Sequence, residues 1–370
     1  MRDKNVVVLD IQSSKISVLV GYESVNQNYK IVCKNLVDYA GFMQGKFLLE
    51  EKLEEEISNV LNLTQINYNR KIEKVYVGVP AEFCYNGLNE AELQSKMPVK
   101  IKQKHLDMLF EKSSPLSISS KTLINRSAVE YQLDNEEVEN PIGKTGCKIW
   151  CRMSEIFASN YFVELIGNIL DNCKIKEYEF VSAELSEGLY LFDEETRKDG
   201  AVVIDCGYIT TSLFSIKNEG LLDLKSFSKG GGYITSDLAE ILELGYNDAE
   251  MLKRKLVLTI QPTELDVYQL SKDKTVDVKT ANDIALARID AIIDGIKKCL
   301  SKFRMESNKV YLTGGGIAKI KGIKYYLGNR LSKKVEIEFA KQCNLDGFED
   351  TSSIAILKMA VSLEKKYQNS

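Results

Sequence analysis

The chain has 370 residues, 44% of them hydrophobic and 28% charged, a balance that excludes fibrous and disordered classes. Lys plus Arg number 49 and Asp plus Glu 53, and the net charge of −4 argues against a dedicated nucleic-acid binder. No apolar run approaches the roughly 20 residues that span a bilayer, and Met1 to Asn5 lead into a strand-like run without a signal-peptide core, so the sequence reads as a cytosolic chain of two domains or one large domain with insertions.

Taken in chain order, Val6-Val7-Val8-Leu9-Asp10 predicts a buried strand ending in a carboxylate, followed by a polar turn and a second strand over 16–20. Leu49, Leu53, Ile57, Val60 and Leu61 recur at helical spacing, and a buried strand over 75–79 is stopped by Pro80. From Pro80 to about Met153 the texture is more polar, with strands expected over 127–133 and 148–153; this reads as an inserted small α+β subdomain. Val163, Ile166, Ile169 and Leu170 share one helical face that returns the chain to the first domain. Val202-Val203-Ile204-Asp205 then repeats the opening hairpin, with Cys206-Gly207-Tyr208-Ile209 at its turn and a strand over 211–216 behind it. Two such hairpins about a domain apart suggest duplicated halves that face one another. A long amphipathic helix with Ile289, Ile292, Ile293, Ile296, Leu300 and Phe303 runs into a strand over 310–313 and then Gly314-Gly315-Gly316. Ile354, Leu357 and Val361 stripe a closing helix.

The eight cysteines (33, 84, 147, 151, 173, 206, 299 and 343) include no CxxC pair, and His105 is the one histidine, which disfavours a zinc site and histidine acid–base chemistry. Gly143-Lys144-Thr145 lacks the first glycine of a P-loop, because Val138 stands there. Lys253-Arg254-Lys255 and Lys297-Lys298 read as solvated helix faces. The hairpin turns offer another chemistry. Turns rich in Gly, Ser and Thr let backbone N–H groups approach phosphate oxygens, and a carboxylate at each strand end can hold the water around magnesium. The chain supplies Asp10 with Ser13 and Ser14, Asp205 with Gly207 and Thr210, and Gly314-Gly315-Gly316 to lie against an adenosine.

These residues resemble the actin/Hsp70-like ATPases and, within them, the bacterial cell-division proteins of the FtsA family. Leu9-Asp10-Ile11-Gln12-Ser13-Ser14-Lys15 is similar to that family's first phosphate motif, and 126–131 through Asn140-Pro141-Ile142-Gly143 to its inserted subdomain 1C. The runs 230–237 and 248–253 are similar to the segment leading to ribose contacts, and 313–322 to the adenosine motif. The resemblance implies an α/β fold of duplicated ribonuclease-H-like domains around a nucleotide cleft, carrying an SHS2-type insertion. Its divisions would be a first lobe over 1–80 and 159–198, subdomain 1C over 81–158, a second lobe over 199–345 with a small part over about 226–300, and a closing helix over 346–370 packed on the first lobe.

The same resemblance implies ATP or ADP with magnesium as ligand. Asp10 and Asp205 would be the magnesium-associated carboxylates, acting through water, and Glu184 would sit near the attacking water. Ser13, Ser14, Lys15, Gly207 and Thr210 would be phosphate-side groups; Gly231, Glu250 and Lys253 would serve the ribose or base; Gly314, Gly315 and Gly316 would lie beside the adenosine. A solvated helix face remains the other reading of Glu250 and Lys253, and a structural role that of Glu184. The departures matter: Gln12 replaces a glycine, only Gly207 survives of three in the second turn, and Ser212 stands where an aspartate is usual. Ile209 implies a turn without positive φ, and Tyr208 and Ile209 are expected to take space that phosphate oxygens use. Phosphoryl transfer rests on positioning and electrostatics, so either a pseudo-ATPase or a slow ATPase follows.

Function by resemblance is a cytoplasmic cell-division scaffold that forms filaments through 1C, binds the C-terminal tail of FtsZ or another division protein, and acts at the division site through partners. FtsA proteins continue into a linker and a membrane-targeting amphipathic helix; the chain stops at Ser370, so membrane association is expected to be indirect. Alternatives are a pilus-assembly or chaperone-type ATPase adaptor, and a small-metabolite kinase of the same fold, for which no acceptor-pocket base is identified.

Overall fold

β-Branched runs that alternate little, as in VVVLDI and AVVIDC, suit strands buried on both faces, and the computed structural model places them at the centre of two like sheets. It describes residues 5–24, 28–113, 118–263, 265–341 and 347–369; Cys343 lies outside them.

The first lobe begins with β1 (Val6–Ile11), β2 (Lys15–Glu23) and β3 (Tyr29–Asp38), then a small hairpin of β4 (Phe42–Met43) and β5 (Lys46–Phe47), α1 (Glu50–Tyr68) and β6 (Lys74–Val79). The insertion holds β7 (Cys84–Lys100), α2 (Gln103–Lys112), β8 (Lys121–Leu133), β9 (Glu136–Val138) and β10 (Thr145–Ser159). The chain returns through α3 (Asn160–Asn172), β11 (Glu177–Ser182), α4 (Ala183–Leu191) and α5 (Glu194–Asp199). The second lobe has β12 (Ala201–Cys206), β13 (Thr211–Lys217), β14 (Gly220–Phe227), α6 (Gly232–Ile241), α7 (Tyr246–Lys255), β15 (Val267–Ser271), β16 (Lys274–Asp277), α8 (Val278–Leu300), β17 (Lys309–Thr313), α9 (Ile323–Leu331) and β18 (Lys334–Ile337). Helix α10 (Thr351–Asn369) closes the chain.

The duplication is visible in the strand order. One sheet runs β3-β2-β1-β6-β11 and the other β14-β13-β12-β17-β18, each with an antiparallel meander followed by two parallel strands. Register matches as well: Asp10 lies opposite Ser17 and beside Gly78, and Asp205 opposite Ser212 and beside Thr313. The two aspartates are therefore equivalent positions of a repeated unit.

Each sheet has its own core. Leu53, Ile57 and Val60 of α1 and Phe162 and Ile166 of α3 cover one face of the first sheet, and Ile354, Leu357 and Val361 of α10 pack with Val8, Leu19 and Tyr76 on the other. In the second lobe Ile289, Ile292, Ile293 and Ile296 of α8 pack on Ile204 and Leu312. The amphipathic pattern overshoots here: α8 ends at Leu300, and Phe303 sits in the following turn, its N–H donating to the Leu300 carbonyl at 3.1 Å. The insertion forms a separate sheet, β7-β10-β8-β9, with Leu106 and Leu109 of α2 against Ile149, Cys151 and Met153. Asn86 donates to the Leu221 carbonyl at 3.1 Å and Asn218 to that of Val129 at 2.6 Å, so the inserted sheet also leans on the second lobe.

Candidate functional site

Between the lobes lies a cavity of about 550 Å³, within the roughly 300–1,000 Å³ usual for small-molecule sites. Asp10, Ser13, Ser14 and Lys15 line it from the first lobe, Asp205, Gly207 and Thr210 from the second, with Glu184, Glu250 and Gly314-Gly315-Gly316 around them. Gly231 and Lys253 stand behind this lining. The Lys253 ammonium is buried, 2.7 Å from Glu250 Oε2 and 3.3 Å from the Gly231 carbonyl, over the ring of Tyr208. The reading of Lys253 as part of a solvated face is corrected: Lys253 is buried, because α7 turns this edge toward the lobe interface, while Arg254 beside it is exposed at the rim of the cavity next to Glu250.

Four of the carboxylates that line this space are pushed toward their protonated form. Burial pushes Glu184 up to about 8, with the Asp205 charge adding to it, and pushes Asp205 up to about 7, with Asp10 adding. Burial also raises Asp10 and carries Glu187 well above the carboxylate range, Asp205, Glu184 and Asp10 reinforcing the latter. Glu184 Oε1 accepts the Ala81 N–H at 2.8 Å, while Glu184 Oε2 and Glu187 Oε2 are buried without a partner among the described residues. Such a cluster favours protons or an incoming cation. No three His, Cys, Asp or Glu side chains among the described residues are grouped to hold an ion by themselves, so magnesium here would need phosphate and water oxygens as well.

Asp10 differs from the other three in being fully occupied. Its Oδ2 accepts Gln12 Nε2 at 2.8 Å and Ser353 Oγ at 2.7 Å, and its Oδ1 accepts Ser352 Oγ at 3.1 Å, tying β1 to the first turn of α10. Gln12 Nε2 also reaches the Glu349 carbonyl at 3.1 Å. Gln12→Gly deletes both of its side-chain bonds and adds unfolded-chain freedom; a loss of about 1–2 kcal/mol is expected in urea unfolding, and an unchanged midpoint would show that neither bond matters.

The two phosphate-side turns touch. The Ile209 N–H donates to Ser13 Oγ at 3.1 Å, and a Cβ on Gly41 would meet Ile209 Cδ1 at 2.6 Å, so the Ile209 side chain packs across the lobes against Gly41 and not into the cavity. Tyr208 does line the cavity, with its ring against Gly232. No residue from 207 to 210 has positive φ, which is how the turn tolerates isoleucine. The amides of Ser13, Ser14, Tyr208 and Thr210 form no hydrogen bond among the described residues and remain available to an anion. Gly314, at φ +87, lets the third turn pass the Asp205 carboxylate, which a Cβ there would meet at 2.2 Å.

Sequence reasoning did not find Glu187, Arg254, Tyr246, Asn247, Glu349 or Ser352, all of which line the cavity. Glu187 carried the one available signal, standing three residues after Glu184 on the same face of α4.

Duplicated sheets, paired aspartates and a glycine turn around one interlobe cavity define an actin/Hsp70-like fold. The family model described as "Cell division protein FtsA" matches residues 202–357. The chain is 22% identical over 365 residues to the cell division protein FtsA of Buchnera aphidicola subsp. Schizaphis graminum, covering 94% of this chain and 87% of that one. Among solved structures it is similar to the PilM-PilN type IV pilus biogenesis complex, with a TM-score of 0.63, 16% identity and 96% and 98% of the two chains covered. It is also similar to MreB5 of Spiroplasma citri bound to ADP, with a TM-score of 0.58, 12% identity and 99% of each chain covered. The chain is thus similar to FtsA proteins, by the family model over residues 202–357 and by low identity over most of its length. No helix among the described residues is long and apolar enough to cross a membrane.

Proposed function

We propose that the protein is an FtsA-like scaffold of the cytoplasm that binds ATP or ADP with magnesium in the interlobe cavity and turns ATP over slowly at most. One observation carries the ligand reading: Asp10 and Asp205, equivalent positions of the duplicated sheets, line one cavity with the Gly314-Gly315-Gly316 turn. The open amides of Ser13, Ser14, Tyr208 and Thr210 would hold phosphate oxygens, Glu250 the sugar end, and Asp205, Glu184 and Glu187 the hydrated ion. Magnesium would neutralise charge on the phosphates. Impaired hydrolysis is supported by the Ile209 amide, which is spent on Ser13 in place of an anion. Filament formation through the inserted sheet, and docking of the FtsZ tail or another division protein on the second lobe at the division site, extend the reading through the resemblance to FtsA proteins.

Calorimetry with ATP and ADP, in magnesium and in EDTA, tests the ligand. Asp205→Ala is expected to weaken magnesium-dependent binding about tenfold or more and to leave binding in EDTA within about twofold. No binding of either nucleotide at millimolar concentration would overturn the proposal. Sedimentation with nucleotide and FtsZ tests assembly, where neither pelleting nor FtsZ association under any condition removes that part.

A further inference from the structure

Glu349 lies just before α10, outside every motif the sequence offered, yet it gathers three cations. Its Oε2 is 3.2 Å from Lys15 Nζ, and its Oε1 is 3.1 Å from Lys319 Nζ and 3.8 Å from Arg254 Nη2. The cations come from separate places: Lys15 opens β2 of the first lobe, Arg254 lies on α7, and Lys319 follows the glycine turn of the second lobe. The carboxylate thus bridges the lobes. Its main chain is held too, by Gln12 Nε2 at 3.1 Å. A Cβ on Gly315 would stand 3.1 Å from Glu349 Cγ, so this side chain rests on the glycine turn itself. Lys15, Arg254, Gly315 and Glu349 all line the interlobe cavity.

Three cations converging on one anion at the edge of a cavity is the charge pattern of a phosphate site. Although burial works against its charge, Lys15 and Lys319 hold the Glu349 carboxyl below its ordinary range, so it is an anion at neutral pH. Each of these part-exposed bridges is weak alone, but all of them, and the contact with Gly315, are made by the same side chain.

We propose that Glu349 is a built-in competitor for the nucleotide: it holds Lys15, Lys319 and Arg254 across the cleft and covers the Gly315 turn until the phosphates of an adenine nucleotide displace it. The inference rests on the nucleotide reading of the cleft. A site that is open only for a fraction of the time binds with its affinity reduced by that fraction, and the latch keeps that fraction small.

The test is a fluorescence titration of the full chain with N-methylanthraniloyl-ADP, parent against Glu349→Gln and Glu349→Asp, with circular dichroism reporting that each is folded. Glu349→Gln removes the charge and is expected to bind about tenfold tighter. Glu349→Asp keeps the charge and the main-chain bond from Gln12 but is one methylene too short to reach Lys15 and Lys319 together, and is expected to fall between parent and Glu349→Gln. Equal or weaker binding by both folded variants, with the parent binding, overturns the latch and leaves the nucleotide reading standing. No binding by parent or variants overturns the nucleotide reading and the latch with it. Binding by the variants alone supports both.

Discussion

Glu184→Gln is expected to melt with the parent near pH 5 and about 2–4 °C above it near pH 8, when calorimetric scans are run in EDTA. In the unfolded chain this carboxyl titrates near 4.5, and burial, with the Asp205 charge behind it, lifts it to about 8 in the fold. Between those values the folded protein keeps a proton that the unfolded chain has lost. The stability this represents is therefore complete at low pH and drains away as pH rises from about 4.5 through about 8, at up to about 1.4 kcal/mol per pH unit. Glutamine carries no such proton, and its carbonyl can still accept the Ala81 N–H. Glu187 and Asp205 titrate in the same cavity, so the group shares its protons and one substitution removes only part of the slope. A chain of this length loses roughly 1 °C per kcal/mol, which sets the size of the expected shift. Parallel pH curves for parent and variant would mean that Glu184 is hydrated and ordinary.

The contrast between Asp10 and Glu349 explains what the sequence could disclose. Asp10 and Asp205 each end an uninterrupted β-branched strand before a polar turn, a local pattern, and the repeat of that pattern foretold the duplicated sheets. The buried strands over 75–79 and 310–313 were legible for the same reason. What escaped was non-local or solvated. β7 runs for 17 residues at the edge of its sheet with most side chains exposed or half-exposed, so no apolar alternation announces it. The partners of Asp10, Ser352 and Ser353, stand more than 340 positions away, and the expected strip of apolar residues on α10 said nothing of the hydroxyls in its first turn. Gln12 stood out as a missing glycine, but that its amide would cap Asp10 and fasten Glu349 depends on where α10 comes to rest. The expectation that Ile209 fills the phosphate space failed on a similar point: Gly41, from the far side of the cleft, supplies the hollow that receives it.

Gly231→Ala is expected to cost about 3 kcal/mol in urea unfolding and to abolish measurable ADP binding, while Gly245→Ala stays within about 0.5 kcal/mol of the parent and binds normally. Backbone conformation cannot be the cause, since Gly231 has φ −66 and ψ −20 and Gly245 φ −61 and ψ 147, both open to alanine. The difference lies in what surrounds them. A Cβ on Gly245 meets nothing within 4 Å, whereas one on Gly231 stands 2.1 Å from the Gly316 carbonyl oxygen and 2.5 Å from its Cα. Main chain cannot swing aside as a side-chain tip would, so the start of α6 and the glycine turn must part. Separation strains three contacts at once: the Gly231 N–H on the Gly207 carbonyl at 2.9 Å, the Gly232 N–H on that of Tyr208 at 2.7 Å, and Lys253 Nζ on the Gly231 carbonyl at 3.3 Å. It also leaves the buried Lys253 ammonium with Glu250 as its one remaining anchor apart from the Tyr208 ring. The turns over 207–208, 230–232 and 314–316 thus form one interlocked unit, and the cavity wall that they make shifts as a whole. Should Gly231→Ala unfold at the parent's midpoint and bind ADP as well, these turns are looser than their contacts imply and the glycine wall does not shape the site.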